Sequence, residues 1–250
     1  MDMRARADSA EMQTHWRQLQ PLIIRYRSGE LVYHAGSFAA GVAMLRAGII
    51  IDRPDSSVAD RPEAMRIELI GPGDLFGVEV LASPPSDVHR TSGRALTDVE
   101  VAFVERETLH EAIAIDHSLS EALLAHIAGR FLAARSTPPV PGEPTRDVEQ
   151  IKQRLVACLL DLARMSGIPL DDSRQRVCLP KEITNRTLAE ILSVSATRIT
   201  KLLADPDLSR CCQLPEEERP CATVPPCDGM LIDTDKLAAA AAECASSRGV

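Results

Sequence analysis

The sequence predicts an α+β chain: a β-barrel, a long helix, and a small helical domain with flanking strands. Three observations carry that prediction. Short Ile-, Val- and Leu-rich runs punctuated by glycine fill residues 21–105, and the apolar period becomes helical after Glu105. Further on, "TLAEILSVSATRITKLL", residues 187–203, sets two short helical periods on either side of "SVS".

Residues 1–20 are polar and are expected to form a partly helical tail. The barrel is expected over 21–116, where "IIRYRSGELVYHAGS", "GVAMLRAGIIIDRP", "AMRIELIGPGDLFGVEVL" and "VEVAFVE" supply strands and "RPDSSVADRPE" a hairpin tip. Residues 117–137 follow as a helix, with Leu119, Leu123, Ile127 and Phe131 four apart on one stripe. Counted over Ser118–Ser136, the helix is about 28 Å long at 1.5 Å per residue. An exposed apolar stripe needs a partner, so this helix is expected to dimerise. "TPPVPGEP" then breaks the helix, because proline cannot continue one, and 138–146 reads as a linker. Residues 147–250 form the second domain. Val148, Ile151, Leu155, Leu159 and Leu162 space a helix, and "RVCLP" and "GMLIDTD" read as strands. Thr184 and Ser195 stand as N-caps before the two short helices, the second ending at "ADPD", and "KLAAAAAECA" closes the chain as a helix.

The chain has 250 residues, enough for two modest cores, with 45% hydrophobic and 3% aromatic content. No long uncharged apolar run exists, and "MDMRARADSAEMQTHW" has no apolar stretch behind its arginines. A cytoplasmic protein with no membrane partner is expected. The net charge of −8 argues against a bulk electrostatic hold on nucleic acid, yet charge is unevenly placed. Ser173–Leu203 carries six cations against two acids, whereas Ala204–Asp235 carries two cations against eight acids. The cationic island coincides with the helix pair, where a phosphate backbone would need it. All seven cysteines lie at or after Cys158, a clustering that in a cytosolic protein suggests metal or redox chemistry before disulfides.

In a helix-turn-helix the second helix enters the major groove and its first residues meet base edges. Here those are Ser195, Ala196, Thr197 and Arg198, with Thr200 and Lys201 placed for bases or phosphates and Thr184 at the start of the first helix. Taken together, "RSGELVYHAGSFAAGVAMLRAGIIID", "GPGDLFGVEVL", "RALTDVEVAFVERETL" and "ITNRTLAEILSVSATRITKLL" resemble the cyclic-AMP receptor protein / fumarate-nitrate regulator (CRP/FNR) family over about residues 21–204. The resemblance implies a double-stranded β-helix sensor (a cyclic-nucleotide-binding-like jelly roll), a dimerisation helix and a C-terminal winged helix-turn-helix. It also implies a homodimeric transcription regulator whose partners are a palindromic double-stranded DNA operator and RNA polymerase. The alternative is an effector-binding module whose DNA domain no longer binds DNA and which acts through protein contacts.

The sequence departs from the family in several places. Ala196–Thr197 replaces the usual Arg–Glu pair of the recognition helix, and Ser193 replaces the turn glycine. In nucleotide-binding members a Gly–Glu pair and a later Arg–Ser hold the phosphate and ribose. The matching residues here are Phe76, Gly77, Val78, Glu79, Arg90 and Thr91. Val78 stands where the ribose-binding acid belongs, with Glu79 facing the other way if this stretch is a strand, which disfavours cyclic AMP. "FGV" looks more like the cyanobacterial nitrogen-control regulators, which sense 2-oxoglutarate, and Arg130 matches their helix arginine. A 2-oxoglutarate-like or other small anionic effector is therefore expected, with a purely structural Arg90 and an empty pocket as the competing reading. Finally, Cys211, Cys212, Cys221 and Cys227 lie in an insertion, 205–229, where the wing belongs. Their number suits one tetrahedral thiolate site for zinc or an iron–sulfur cluster, or a thiol switch; their spacing is unlike paired knuckles, and an acidic insertion with incidental cysteines explains them as well. No nucleophile–base pair, carboxylate dyad or phosphate loop points to an enzyme.

Overall fold

The computed structural model describes residues 3–54, 67–82, 88–136, 147–166, 168–170, 175–213 and 228–246. The chain divides into two units, Met1–Gly142 and Glu143–Val250. The first runs α1 (Met3–Gln18), β1 (Leu22–Tyr26), β2 (Leu31–Tyr33), β3 (Gly41–Ala47), β4 (Ile50–Pro54), β5 (Glu68–Ile70) and β6 (Leu75–Phe76). A single 3-10 turn (Val78–Leu81) leads to β7 (Thr91–Ala95), β8 (Val99–Glu105), α2 (Arg106–Ile115) and α3 (His117–Ser136).

The strands make two antiparallel four-stranded sheets, ordered β1-β8-β3-β6 and β2-β7-β4-β5. β3 and β8 explain why the sequence is almost continuously apolar there. Ala43, Leu45, Val99 and Val101 pack with Ile50, Ile70 and Ala95 of the other sheet. Their alternate neighbours Val42, Met44, Ala102 and Val104 pack with the helices, through Met12, Trp16, Leu109, Leu119 and Leu123. A strand buried on both faces loses its polar alternation.

Two expectations change here. The polar tail is a helix that belongs to the core: Met12 and Trp16, one turn apart, are completely buried, and Trp16 Nε1 donates to the Ala102 carbonyl at 2.7 Å. The stripe of α3 is divided rather than continuous. Leu119 and Leu123 are buried against the barrel, while Leu124, Phe131 and Leu132 are exposed and Ile127 is partly so. The expected linker, 138–146, lies outside the described residues.

The second unit contains α4 (Val148–Ser166), β9 (Ile168–Pro169), β10 (Arg176–Cys178), α5 (Asn185–Leu192), α6 (Ala196–Leu203), α7 (Pro206–Ser209), β11 (Cys212–Gln213), β12 (Leu231–Asp233) and α8 (Thr234–Ser246). Its strands form one antiparallel sheet ordered β11-β12-β10-β9. Ile151, Leu155, Leu159 and Leu162 of α4 are buried, as are Leu188, Leu192, Ile199 and Leu202 of the helix pair. The chain does not leave the fold at residue 205. Asp205 caps α7, with Pro206 in its first turn, Leu208 is fully buried, and Cys212 pairs with Ile232 across the β11–β12 ladder. The start of the expected insertion is thus part of the winged helix.

Candidate functional site

The helix-turn-helix is fixed by its caps. Thr184 Oγ1 accepts from the Thr187 N–H at 3.2 Å, and Ser195 Oγ accepts from the Arg198 N–H at 3.3 Å. Between them Ser193 adopts φ 55°, a left-handed conformation that glycine favours, and closes α5 by donating to Glu190. α6 buries Ile199, Leu202 and Leu203 and turns Ala196, Thr197, Thr200 and Lys201 outward. Ser195 is also exposed, and Arg198 is half-buried at the helix shoulder. Asn185 was not legible as part of this face. Its side-chain amide donates to Thr200 Oγ1 at 3.1 Å and so ties the first helix to the second. Thr200 Oγ1 in turn donates to the Ala196 carbonyl, which removes it from free recognition duty.

Immediately after α6, Lys152 of α4 donates to Asp205 Oδ1 at 3.1 Å and Asp207 Oδ2 at 2.9 Å. The hydrogen bond that Lys152 donates to Asp207 is the largest influence raising the ammonium above its ordinary range. Two of the acids that make residues 204–235 negative are thereby matched by a cation from another helix.

The first unit holds a cavity of about 180 Å³. Of the seven residues expected at the effector site, Phe76, Gly77, Val78, Glu79, Thr91 and Arg130 line it; Arg90 does not, and is exposed. Residues 78–81 form a 3-10 turn and not a strand, so Val78 and Glu79 both reach the cavity instead of facing opposite ways. Gly77 permits this turn: its φ is 77°, and a Cβ there would meet the Gly41 carbonyl oxygen at 2.6 Å.

The remaining lining was missed. Tyr33, Asp52, Glu68 and His126 also face the cavity. Tyr33 fits because Gly93 opposite it has no side chain; a Cβ there would lie 2.2 Å from the ring. The ring stacks on Phe76 with centroids 5.2 Å apart. Arg130 is already engaged, with Glu68 Oε2 and Asp74 Oδ1 each at 3.3 Å. Burial raises the Asp52 carboxyl above its ordinary value, and Glu68 and Glu79 push the same way against hydrogen bonds from Thr91 and Tyr33. Burial is the largest single influence on Glu79 and pushes it upward, but the 2.6 Å contact with His89 Nδ1, its own backbone N–H and the charge of Arg90 together outweigh it and leave that carboxyl low. His126 is held below the usual imidazole range by burial.

Of the four cysteines of the expected cluster, Cys211 and Cys212 are among the described residues. Cys211 and Cys212 are buried, free and in the core of the wing; burial raises both, Cys212 to about 12. A metal ligand must be a thiolate, which this environment opposes. Cys221 and Cys227 lie outside the described residues, and no group of three metal-ligating side chains occurs among the described ones. Cys178 is disulfide-bonded.

A β-roll, a long helix and a winged helix-turn-helix, in that chain order, is the fold this chain shares with solved structures of CRP/FNR-type proteins. No family model matches the chain. It is 25% identical over 187 residues to the HTH-type transcriptional regulator Cmr of Mycobacterium tuberculosis, covering 72% of this chain and 64% of that protein. The chain thus spans a little under two thirds of that relative. It is 23% identical over 185 residues to the global nitrogen regulator of Nostoc sp., covering 74% and 78%. Among solved structures, FixK2 from Bradyrhizobium japonicum superposes with a TM-score of 0.62 at 20% identity, covering 88% of this chain and 96% of that one. No helix among the described residues is long and apolar enough to cross a membrane.

Proposed function

We propose that this protein is a sequence-specific DNA-binding transcription regulator of the CRP/FNR type, governed by a small ligand held in the cavity of its β-roll. The observation that carries the reading is α6. Ser195 caps it, Ile199, Leu202 and Leu203 anchor it, and Thr197, Arg198 and Lys201 stand at its outer side within the cationic island of residues 173–203. A short helix so presented suits the major groove, with Arg198 reading a base edge and Lys201 meeting phosphate. The protein acts as a homodimer through the exposed, C-terminal half of α3, where Leu124 and Phe131 replace Leu119 and Leu123 as the contact. Two half-sites about 34 Å apart are then expected, one turn of duplex.

Selection of duplexes from random DNA by the full-length protein tests this, at low and at near-physiological salt. A palindromic consensus with half-sites one helical turn apart is the expected result. Retention of no duplex at low ionic strength by folded protein would leave instead an effector-binding module that works through protein contacts.

A further inference from the structure

The β-roll cavity carries an inference about the chemical class of its ligand, which rests on reading that cavity as the effector site. One cross-strand row traverses the second sheet: Glu68 opposes Asp52, Asp52 opposes Gly93, and Gly93 pairs with Tyr33. Directly opposed residues share a face, so two carboxylates stand side by side with the Tyr33 ring beyond them. That face lines the cavity. Like charges directly opposite are destabilising and ordinarily need a cation between them. Arg130 supplies one to Glu68 but turns its other nitrogen to Asp74. Asp52 receives only hydroxyl hydrogen bonds, from Tyr33 and Thr91, and its Oδ1 is buried with no partner among the described residues.

We propose that the cavity takes a small organic cation, an ammonium or guanidinium on a compact apolar body, with Asp52 as its charge partner. The cation completes the row that the fold leaves one positive charge short, and the stacked Tyr33–Phe76 pair offers an aromatic wall to its body. An anion would enter beside Asp52, Glu68 and Glu79, and would have to draw Arg130 away from two carboxylates. Arg130 is the cation of the described lining: its Nη1 lies 3.3 Å from Asp74 without a hydrogen bond, and it shares the cavity with Asp52, Glu68 and Glu79, so the balance of charge there is negative. Size limits the ligand to a small one of either charge: about 180 Å³ corresponds to roughly six waters at about 30 Å³ each. Pockets for drug-sized ligands start near about 300 Å³.

Calorimetric titration of the full-length protein compares butylammonium, butylguanidinium and benzylammonium with valerate, 2-oxoglutarate and cyclic AMP. At least one of the three cations binds with unit stoichiometry, and Asp52→Asn weakens that binding at least tenfold while the melting profile is retained. Should Asp52→Asn fail to fold, the preference of the wild type for cation over valerate decides. Binding by none of the cations, tighter binding of any of the three anions, or a cation affinity indifferent to Asp52→Asn overturns the proposal. Loss of duplex retention leaves this titration unaffected, and a silent titration leaves duplex selection unaffected, so the two readings fail separately.

Discussion

Lys152 joins α4 to the segment that follows the recognition helix, and Lys152→Met removes the ammonium while keeping the apolar stem packed. The lysine side chain is 10% exposed, whereas Asp205 is 37% and Asp207 69% exposed. The bond to Asp207 therefore resembles a surface pair, worth about 0.5 kcal/mol. That to Asp205 is a charge-assisted hydrogen bond in a more sheltered place, worth about 1.5 kcal/mol. The substitution should cost the second unit about 2 kcal/mol, or roughly 8 °C in melting temperature for a domain of about 100 residues. Acid sensitivity should shift as well. The Asp207 N–H is the largest influence lowering the Asp205 carboxyl, and Lys152 adds to it. A lowered carboxylate stabilises the fold above its ordinary value of 3.8, and that stability is lost as pH falls through the lowered value. Without Lys152 the carboxyl is lowered less, so acid unfolding should begin at higher pH. The assay is thermal and acid melting of the wild type, Lys152→Met, Asp205→Asn/Asp207→Asn and the triple variant. If Lys152→Met costs as much in the doubly substituted background as in the wild type, the ion pairs are not what holds α7, and the reasoning fails.

Ser193→Gly should stabilise the second unit by about 0.5 kcal/mol in urea melts, because relief of the left-handed serine, worth roughly 1 kcal/mol, is partly offset by the greater freedom of glycine when unfolded. Ser193→Val should destabilise it, since a β-branched residue tolerates that conformation least. Arg198→Ala should relax preference at one base pair, a loss of about 1–3 kcal/mol confined to the preferred sequence. Lys201→Ala should weaken binding on all sequences and reduce the salt slope by about 1. Equal losses for both changes on every sequence would refute that division, with fluorescence anisotropy as the measurement. Cys211 and Cys212 should resist alkylation in the native protein at pH 8 and react only on unfolding, as read by peptide mass mapping. Because Cys212 titrates at about 12 folded and near 9.0 unfolded, its contribution to stability is intact below 9.0 and declines as pH rises toward 12.

What was legible in the sequence was local. Thr184 and Ser195 are caps because a hydroxyl reaches an N–H three residues on, and that geometry is written in consecutive residues. The barrel was legible as strands for the same reason, from glycine and β-branched punctuation. Two local signals existed and were passed over. Met12 and Trp16 are one turn apart, which marks an apolar face on an otherwise polar helix. Asp205-Pro206-Asp207 is a helix start, with a capping acid, a proline in the first turn and a second acid near the positive end of the dipole.

The ligand's sign was not legible, because it depends on register. Asp52 and Glu68 are sixteen residues apart, with a polar tip and the start of the next strand between them, and Tyr33 stands further off still. A slip of one residue in either pairing would send Asp52 or Glu68 to the opposite face and leave Arg130 without its carboxylate. The family resemblance matched Gly77, Thr91 and Arg130 one position at a time. It could not register that β4 and β5 had placed two acids across from that arginine. An arginine at an inherited position is an anion receptor only when the charge around it is positive, and here Glu68 and Asp74 each lie 3.3 Å from it, with Asp52 and Glu79 on the same cavity. The same positions with the opposite charge balance therefore argue for a different ligand.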